Sequence, residues 1–302
     1  MNPGSVSTSS LSAALASGRF LVTTEEPLPK GADLTSFLRR TQHLAGLVDA
    51  ISLTEASGAV MTMSPIGAVP AILAQGHHPI LQITCRDRNR IALQADLLAA
   101  SALGVTAVAC MAGDAIADGD HPGASPVYDL DTPALLRALR GLRDEGHDLA
   151  GNRLNGSPAF CLGAVVNPGA DDLDDELRRM EAKVEAGAQF FLTQAVYDSP
   201  AFERFMSHAD RFQTPVLAGY IVPKSGDMAR RLNQTLPGVQ VPDEMIRLLD
   251  EVEDKAACSI ELSGRIIERL AESCRGVHLI AVGWESRMPD LLAASGITRP
   301  PA

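Results

Sequence analysis

The chain has 302 residues, of which 46% are hydrophobic and 21% charged; 26 Lys and Arg stand against 37 Asp and Glu, a formal net charge of −11. This composition supplies a sizeable core and excludes wholesale disorder. With no basic run or aromatic-basic stripe to meet a phosphate backbone, it argues against a nucleic-acid-binding role, but a phosphate-bearing cofactor needs only local donors and stays open.

In chain order, residues 1–17 lack a basic n-region, and their apolar stretch is diluted with Ser and Gly, which makes a poor signal peptide. They read as an extension with a short helix. Beyond them, short β-branched runs alternate with longer segments of 3.6-residue period. Strands are expected at Phe20–Glu25, Val48–Thr54, Pro79–Thr84, Val105–Ala112, Phe160–Val166, Gln189–Gln194, Pro215–Ile221 and Val277–Gly283. Helices are expected at Leu34–Leu47, Pro65–Gln75, Asn89–Leu103, Pro133–Glu145, Asp174–Ala186, Pro200–Ala209, Asp227–Leu236 with Pro242–Leu270, and Pro289–Ala294. Asp131-Thr132-Pro133 and Asp198-Ser199-Pro200 are helix-start signals.

Eight βα units over residues 18–302 fit one α/β domain, a closed (β/α)8 TIM barrel, for which about 250 residues is ordinary. The competing open, doubly wound sheet usually carries G-x-G-x-x-G after its first strand, and neither that motif nor a Walker loop occurs. The long stretch Gly113–Pro158, with its Gly/Asp/Pro-rich start, reads as a functional loop followed by a helix. No apolar run nears the roughly 20 residues that span a bilayer. The five cysteines are widely spaced, without a C-x-x-C pair or a metal-ligand spacing, so reduced thiols, no metal site and a soluble cytoplasmic protein are expected.

Barrel chemistry sits at the carboxyl ends of the strands. There the sequence places Glu25 and Glu26, Thr54 and Glu55, Thr84 and Cys85, Asp114, Asn167, Gln194, Pro223-Lys224 and Trp284-Glu285, with no histidine among them. Carboxylates and amides suit proton transfer to a polar heterocycle better than acyl transfer. Glu25 is either a shielded acid held protonated or a solvated loop glutamate. Asp114, after a glycine that permits close backbone approach, is a ligand contact or a turn aspartate. Lys183, taken alone, is a surface ion-pair partner.

Several stretches resemble the methylenetetrahydrofolate reductase family over about residues 18 to 295: TEEPLPKGAD at Thr24–Asp33, ISLTEASGAVMTMSP at Ile51–Pro65, LQITCRDRNR at Leu81–Arg90, MAGD at Met111–Asp114, KVEAGAQFFLTQAVYD at Lys183–Asp198 and GYIVPKS at Gly219–Ser225. The compact length looks like the bacterial reductases, and QITCRDRNR most like the acetogen-type branch. The resemblance implies reduction of 5,10-methylene-tetrahydrofolate to 5-methyl-tetrahydrofolate, or the reverse, with FAD (or FMN) on the barrel face and NADH or NADPH as co-substrate. It implies that Glu25 protonates folate N10, that Asp114 and Gln194 contact the substrate, and that Thr54, Gln82, Gly113, Asp114, Tyr128, Glu176 and Lys183 line the flavin. A homo-oligomer or a redox partner subunit is compatible with it.

Three departures stand out: Gln82 where the enteric-type pattern has histidine, Ala112 where an arginine usually precedes G-D, and Trp284 where an arginine is expected near the folate. Other readings stay open: a flavin-free pterin-dependent barrel transferase or lyase, or a folate-binding subunit that takes electrons from a partner. Met61 and Met63 are expected beneath the cofactor or in the core, His77 and His78 at the amino-terminal face, and Cys85 as a buried thiol. The run Asp171–Glu176 reads as a helix amino terminus, and Trp284 either stacks on a planar ligand or seals the barrel top.

Overall fold

The structure, a computed structural model, describes residues 11–299. In chain order it runs α1 (Leu11–Ala16), β1 (Leu21–Glu26), α2 (Thr35–Gln42), β2 (Ala50–Leu53), α3 (Pro65–Ala74), β3 (Pro79–Thr84), α4 (Arg90–Ala102), β4 (Ala107–Met111), α5 (Thr132–Arg140), β5 (Cys161–Val166), α6 (Leu173–Ala186), β6 (Phe190–Ala195), α7 (Ser199–Ala209), β7 (Val216–Ile221), α8 (Gly226–Thr235), α9 (Asp243–Glu251), α10 (Lys255–Ala271), β8 (Gly276–Ile280) and α11 (Met288–Ala294). All eight strands pair in parallel with their sequence neighbours, and β1 with β8 closes the ring. This is the expected (β/α)8 barrel.

Why the ring closes is visible in the side chains. Outward strand residues such as Val22, Ile51, Leu81 and Val108 are buried under the helices, which is why the strands read as near-continuous apolar runs. Inward residues alternate with them and form two layers. The lower layer is apolar: Leu21, Ile80, Cys161, Phe190, Leu192 and Leu217 make one cluster, and α1 plugs it from below with Leu11 and Ala14. Phe190 lies where β5 carries Gly163; a Cβ there would meet the ring at 2.2 Å. The upper layer is polar and carries the chemistry described below.

Helix starts are fixed by side-chain caps. Asn89, Asp131, Asp172, Asp198 and Asp254 each accept a backbone N–H of the first turn, an interaction typically worth about 1 kcal/mol. Three expectations need correction. The helix expected over Leu34–Leu47 ends at Gln42, and the chain continues in i→i−3 turns such as Leu44 N–H to Thr41 O. The strand expected to reach Gly283 ends at Ile280, because Val282 and Gly283 adopt left-handed backbone with φ +50° and +85°. The helix expected over Pro242–Leu270 is two, α9 and α10, broken between Glu251 and Lys255 where Asp254 caps the second. With α8, these place three helices between β7 and β8. The α8–α9 connection reaches across to the loop after β5, where Asn167 Nδ2 donates to Pro237 O.

Candidate active site

β1 presents Glu25 to the interior and Glu26 to the helices. About a fifth of the Glu25 side chain, 22%, is accessible at the mouth. Its Oε2 accepts Gln82 Nε2 at 2.8 Å, and the same amide nitrogen donates to Ser52 Oγ at 3.0 Å. Register explains the meeting, since Glu25 lies beside Ser52 and Ser52 beside Ile80, two residues before Gln82. Among the described residues the hydrogen bond to this carboxylate falls on Oε2, and Oε1 receives none.

Below this carboxylate lies His278, buried on β8, whose Nδ1 pairs with Thr23 Oγ1 at 2.9 Å. The Thr23 hydroxyl also points to Val277 O, so the imidazole donates through Nδ1 and Nε2 carries the lone pair. That Nε2 is buried, lacks a hydrogen-bond partner and faces Glu25 Oε2 at 3.7 Å. One proton between Glu25 and His278 satisfies both groups. The Gln82 amide donates to an ionised Glu25 and, turned over, accepts from a protonated one. The strand ends carry no histidine, as expected, but His278 lies in mid-strand one layer beneath them and within reach of Glu25.

On the far side, a bulge between Leu192 and Ala195 re-aims Gln194, which is half-buried at the rim with its Oε1 on Ala195 N. Gly219 makes the bulge possible, because a Cβ there would sit 2.3 Å from Thr193 O. Asp114 lies exposed beyond β4, and its Oδ2 accepts Gly58 N–H from the loop after β2. Arg86, buried and given no role by the sequence, organises this corner: it donates to Asp114 O, to Ala56 O and to Asp87. Glu55 braces it further, accepting Thr84 N–H and Oγ1 and pairing with Arg88; burial pushes its carboxyl up despite those partners. Glu25, Gln194 and Asp114 thus stand on the rim from β1, β6 and β4. Thr54 is buried at the end of β2.

The residues expected to hold a flavin do not fit its phosphate tail. A phosphate wants free cations or free backbone N–H groups. Lys183 Nζ donates to Val165 O, and burial lowers its pKa. Glu176 accepts Asn167 N–H and pairs with Arg179, so both α6 residues brace the end of β5. Arg86 is committed as described, and Ala112 offers no charge. The loop N–H groups of Gly58 and Met61 are taken by the carboxylates of Asp114 and Asp120, which Lys30 also joins. The loops after β2 and β4 meet so closely that a Cβ on Gly119 would lie 2.0 Å from Ala59 O. Gly113, at φ +94°, is packed under Arg86 and Thr84, and Tyr128 is exposed on the loop. That corner is closed and acidic.

Other expectations fall in place or move. Met63 packs on the core but Met61 is exposed. His77 Nε2 meets Thr41 O beneath β3, and Cys85 is a buried thiol pushed up to about 11 by burial. A cavity of about 1000 Å³ lies away from the mouth, between the α8–α9 connection and α10, and holds none of Glu25, Asp114 or Gln194. Among the described residues no group of three or more His, Cys, Asp or Glu could hold a metal ion, and no helix is long and apolar enough to cross a membrane.

A family model described as methylenetetrahydrofolate reductase matches residues 10–296. A Caenorhabditis elegans protein named "Probable methylenetetrahydrofolate reductase (NADPH)" is 24% identical over 234 residues, 74% of this chain and 33% of that one. Methylenetetrahydrofolate reductase 1 of Schizosaccharomyces pombe is 24% identical over 213 residues, 67% of this chain and 31% of its own. The matches span about a third of these relatives' length. A solved structure from Clostridium thermocellum, described as an uncharacterized protein binding two copies of 5-methyl-5,6,7,8-tetrahydrofolic acid, superposes with TM-score 0.65 at 17% identity, covering 95% of this chain and 98% of that one; this is a likeness of fold.

Proposed function

The chain belongs to the methylenetetrahydrofolate reductase family, and from that premise we propose that it interconverts 5,10-methylene-tetrahydrofolate and 5-methyl-tetrahydrofolate at the barrel mouth, with a pyridine nucleotide as the redox partner. The observation that carries this reading is the Glu25–Gln82–His278 cluster, in which Gln82 Nε2 meets Glu25 Oε2 at 2.8 Å and the unpartnered His278 Nε2 faces the same oxygen at 3.7 Å. In the reducing direction Glu25 gives its proton to folate N10, the bond from N10 to the bridging carbon breaks, and hydride adds to that carbon to give the methyl group. His278 and Gln82 hold Glu25 through both protonation states. Gln194 and Asp114 orient the pterin from the ends of β6 and β4.

A co-substrate that leaves each turnover needs only modest affinity, so it requires no phosphate cradle of the strength a resident dinucleotide does. The hydride therefore comes from the reduced nicotinamide itself, bound over the open side of the mouth between Met111, Val165, Gln194 and Ile280, all partly accessible inward residues. Anaerobic turnover of methylene-tetrahydrofolate with NADH or NADPH by protein lacking visible flavin absorbance is the expected result. A bound flavin bleached by the nucleotide would overturn the direct transfer. No turnover with either nucleotide, with or without added FAD or FMN, would overturn the reductase reading.

A further inference from the structure

Directly behind Glu25, the next residue of β1 turns outward into a second set of ionisable groups. Glu26 is fully buried, and its Oε2 accepts Arg40 Nε of α2 at 3.1 Å. Its Oε1 is buried and receives no hydrogen bond. The polar neighbour on hand is another carboxyl, that of Glu285, also buried, in the turn that follows β8. Two carboxylates and one guanidinium cannot all be charged there without an orphaned oxygen. A proton on Glu26 removes the problem, because it turns Oε1 into a donor to Glu285.

Glu285 in turn holds something strained. Its Oε1 accepts Gly283 N–H at 2.7 Å, closing a turn in which Val282 has φ +50°, an outlying conformation for a β-branched residue. Strained backbone persists where surrounding groups over-determine it. Here those groups are Glu285 and Lys224, whose Nζ donates to Val282 O. Between them sits Trp284, with Lys224 Nζ 5.7 Å from its ring centroid. The α2 helix that carries Arg40 packs against the same turn.

We propose that Glu26, Glu285 and Arg40 form a proton-dependent latch that sets the turn after β8, and with it Trp284, at the rim of the barrel mouth. Glu26 and Glu285 are positioning residues and touch no reacting atom. Burial, reinforced by the Glu285 carboxylate and opposed by Arg40, pushes Glu26 up to about 8. The charged groups acting on it are Arg40 from α2 and Glu285 from the turn. Below that pH the latch is closed. Above it, two facing carboxylates repel, and the strained turn is free to relax.

Trp284 is the chain's sole tryptophan, so its emission reports on the turn without reference to any reaction. In the full chain, emission scanned from about pH 6 to 10 is expected to show a transition within about one unit of 8. Glu26→Gln keeps a donor and loses the titration, so its emission should stay at the low-pH wild-type value throughout. Glu285→Gln lets an ionised Glu26 accept an amide N–H, and the transition should move below about pH 7 or vanish. The link to the mouth rests on the proposed folate reaction: across the same transition the wild-type KM for methylene-tetrahydrofolate should rise roughly tenfold with kcat less affected, and the Glu26→Gln profile should stay flat. A wild type without an emission transition between about pH 7 and 9, or a Glu26→Gln protein that keeps it, would overturn the latch. An emission transition as described in a protein without folate turnover would reject the reaction and leave the latch standing.

Discussion

The two ends of the barrel interior are built from the same strands by opposite rules. At the amino-terminal end, Leu21, Phe190 and Leu217 fill the bore and α1 plugs it. At the carboxyl-terminal end the same strands turn Thr23, Glu25, Ser52, Gln82 and His278 inward, and hydrogen bonds replace apolar contact. Electrostatics follow the division. Below, Asp49 sits among Arg299, Arg19 and Val22 N–H; burial opposes its charge, but these partners win and hold its carboxyl below the usual value of 3.8. Behind the upper layer, on the helix-facing side of β1, Glu26 meets burial and a like charge and is raised to about 8. Near one end burial is overcome by paired cations that keep a carboxylate charged, and near the other burial favours a protonated carboxyl behind the site.

The sharpest way to break this contrast is Glu25→Gln. It removes the proposed proton donor from the upper layer and leaves packing intact, so the proposed methylene-tetrahydrofolate reduction should fall by roughly 10²–10⁴, the usual worth of a general acid, with the melting temperature little changed. Phe190→Ala does the converse. It should cost about 3–5 kcal/mol in denaturant unfolding, as large-to-small core changes do, while kcat of the folded fraction stays near wild type.

A smaller effect separates the ends by pH. Asp49 has a depressed folded value, so its contribution is present above about pH 3.8 and is lost as the pH falls through the folded value. Asp49→Asn should cost about 1.5–3 kcal/mol at neutral pH and flatten the acid limb of stability against pH. Glu26, with a raised folded value, contributes fully below 4.5 and loses its contribution as pH rises through about 8. Glu26→Gln should flatten the alkaline limb and leave the acid limb alone.

How much of this was legible in the sequence depends on the range of the interaction that decides each feature. β3 was bounded as Pro79–Thr84, since a strand between a turn and a capped helix is a local matter. The end of β8 was not, because VGW reads as apolar strand until Glu285 and Lys224 are seen holding Val282 in left-handed backbone. The break between α9 and α10 was missed because apolar periodicity continues across it. In the site, Glu25 was legible from its place at a strand end. His278 was not, because its role depends on closure of β8 against β1, more than 250 residues apart. Arg86 looked like one of several surface charges in CRDRNR, and burial alone distinguishes it. Glu26 needed the in–out alternation of a strand whose phase only the closed barrel fixes.

The most direct test of the whole account uses NADH carrying two deuterium atoms at the nicotinamide C4, mixed anaerobically with protein and methylene-tetrahydrofolate, with the product analysed by mass spectrometry. Reduction at the mouth by direct transfer predicts 5-methyl-tetrahydrofolate with one deuterium in the methyl group, and almost none of that product from Glu25→Gln. Methyl product whose deuterium has been lost to water would contradict direct transfer and point to an exchangeable carrier between the two substrates. Labelled product formed at an undiminished rate by Glu25→Gln would contradict the proton donor on which the site was built.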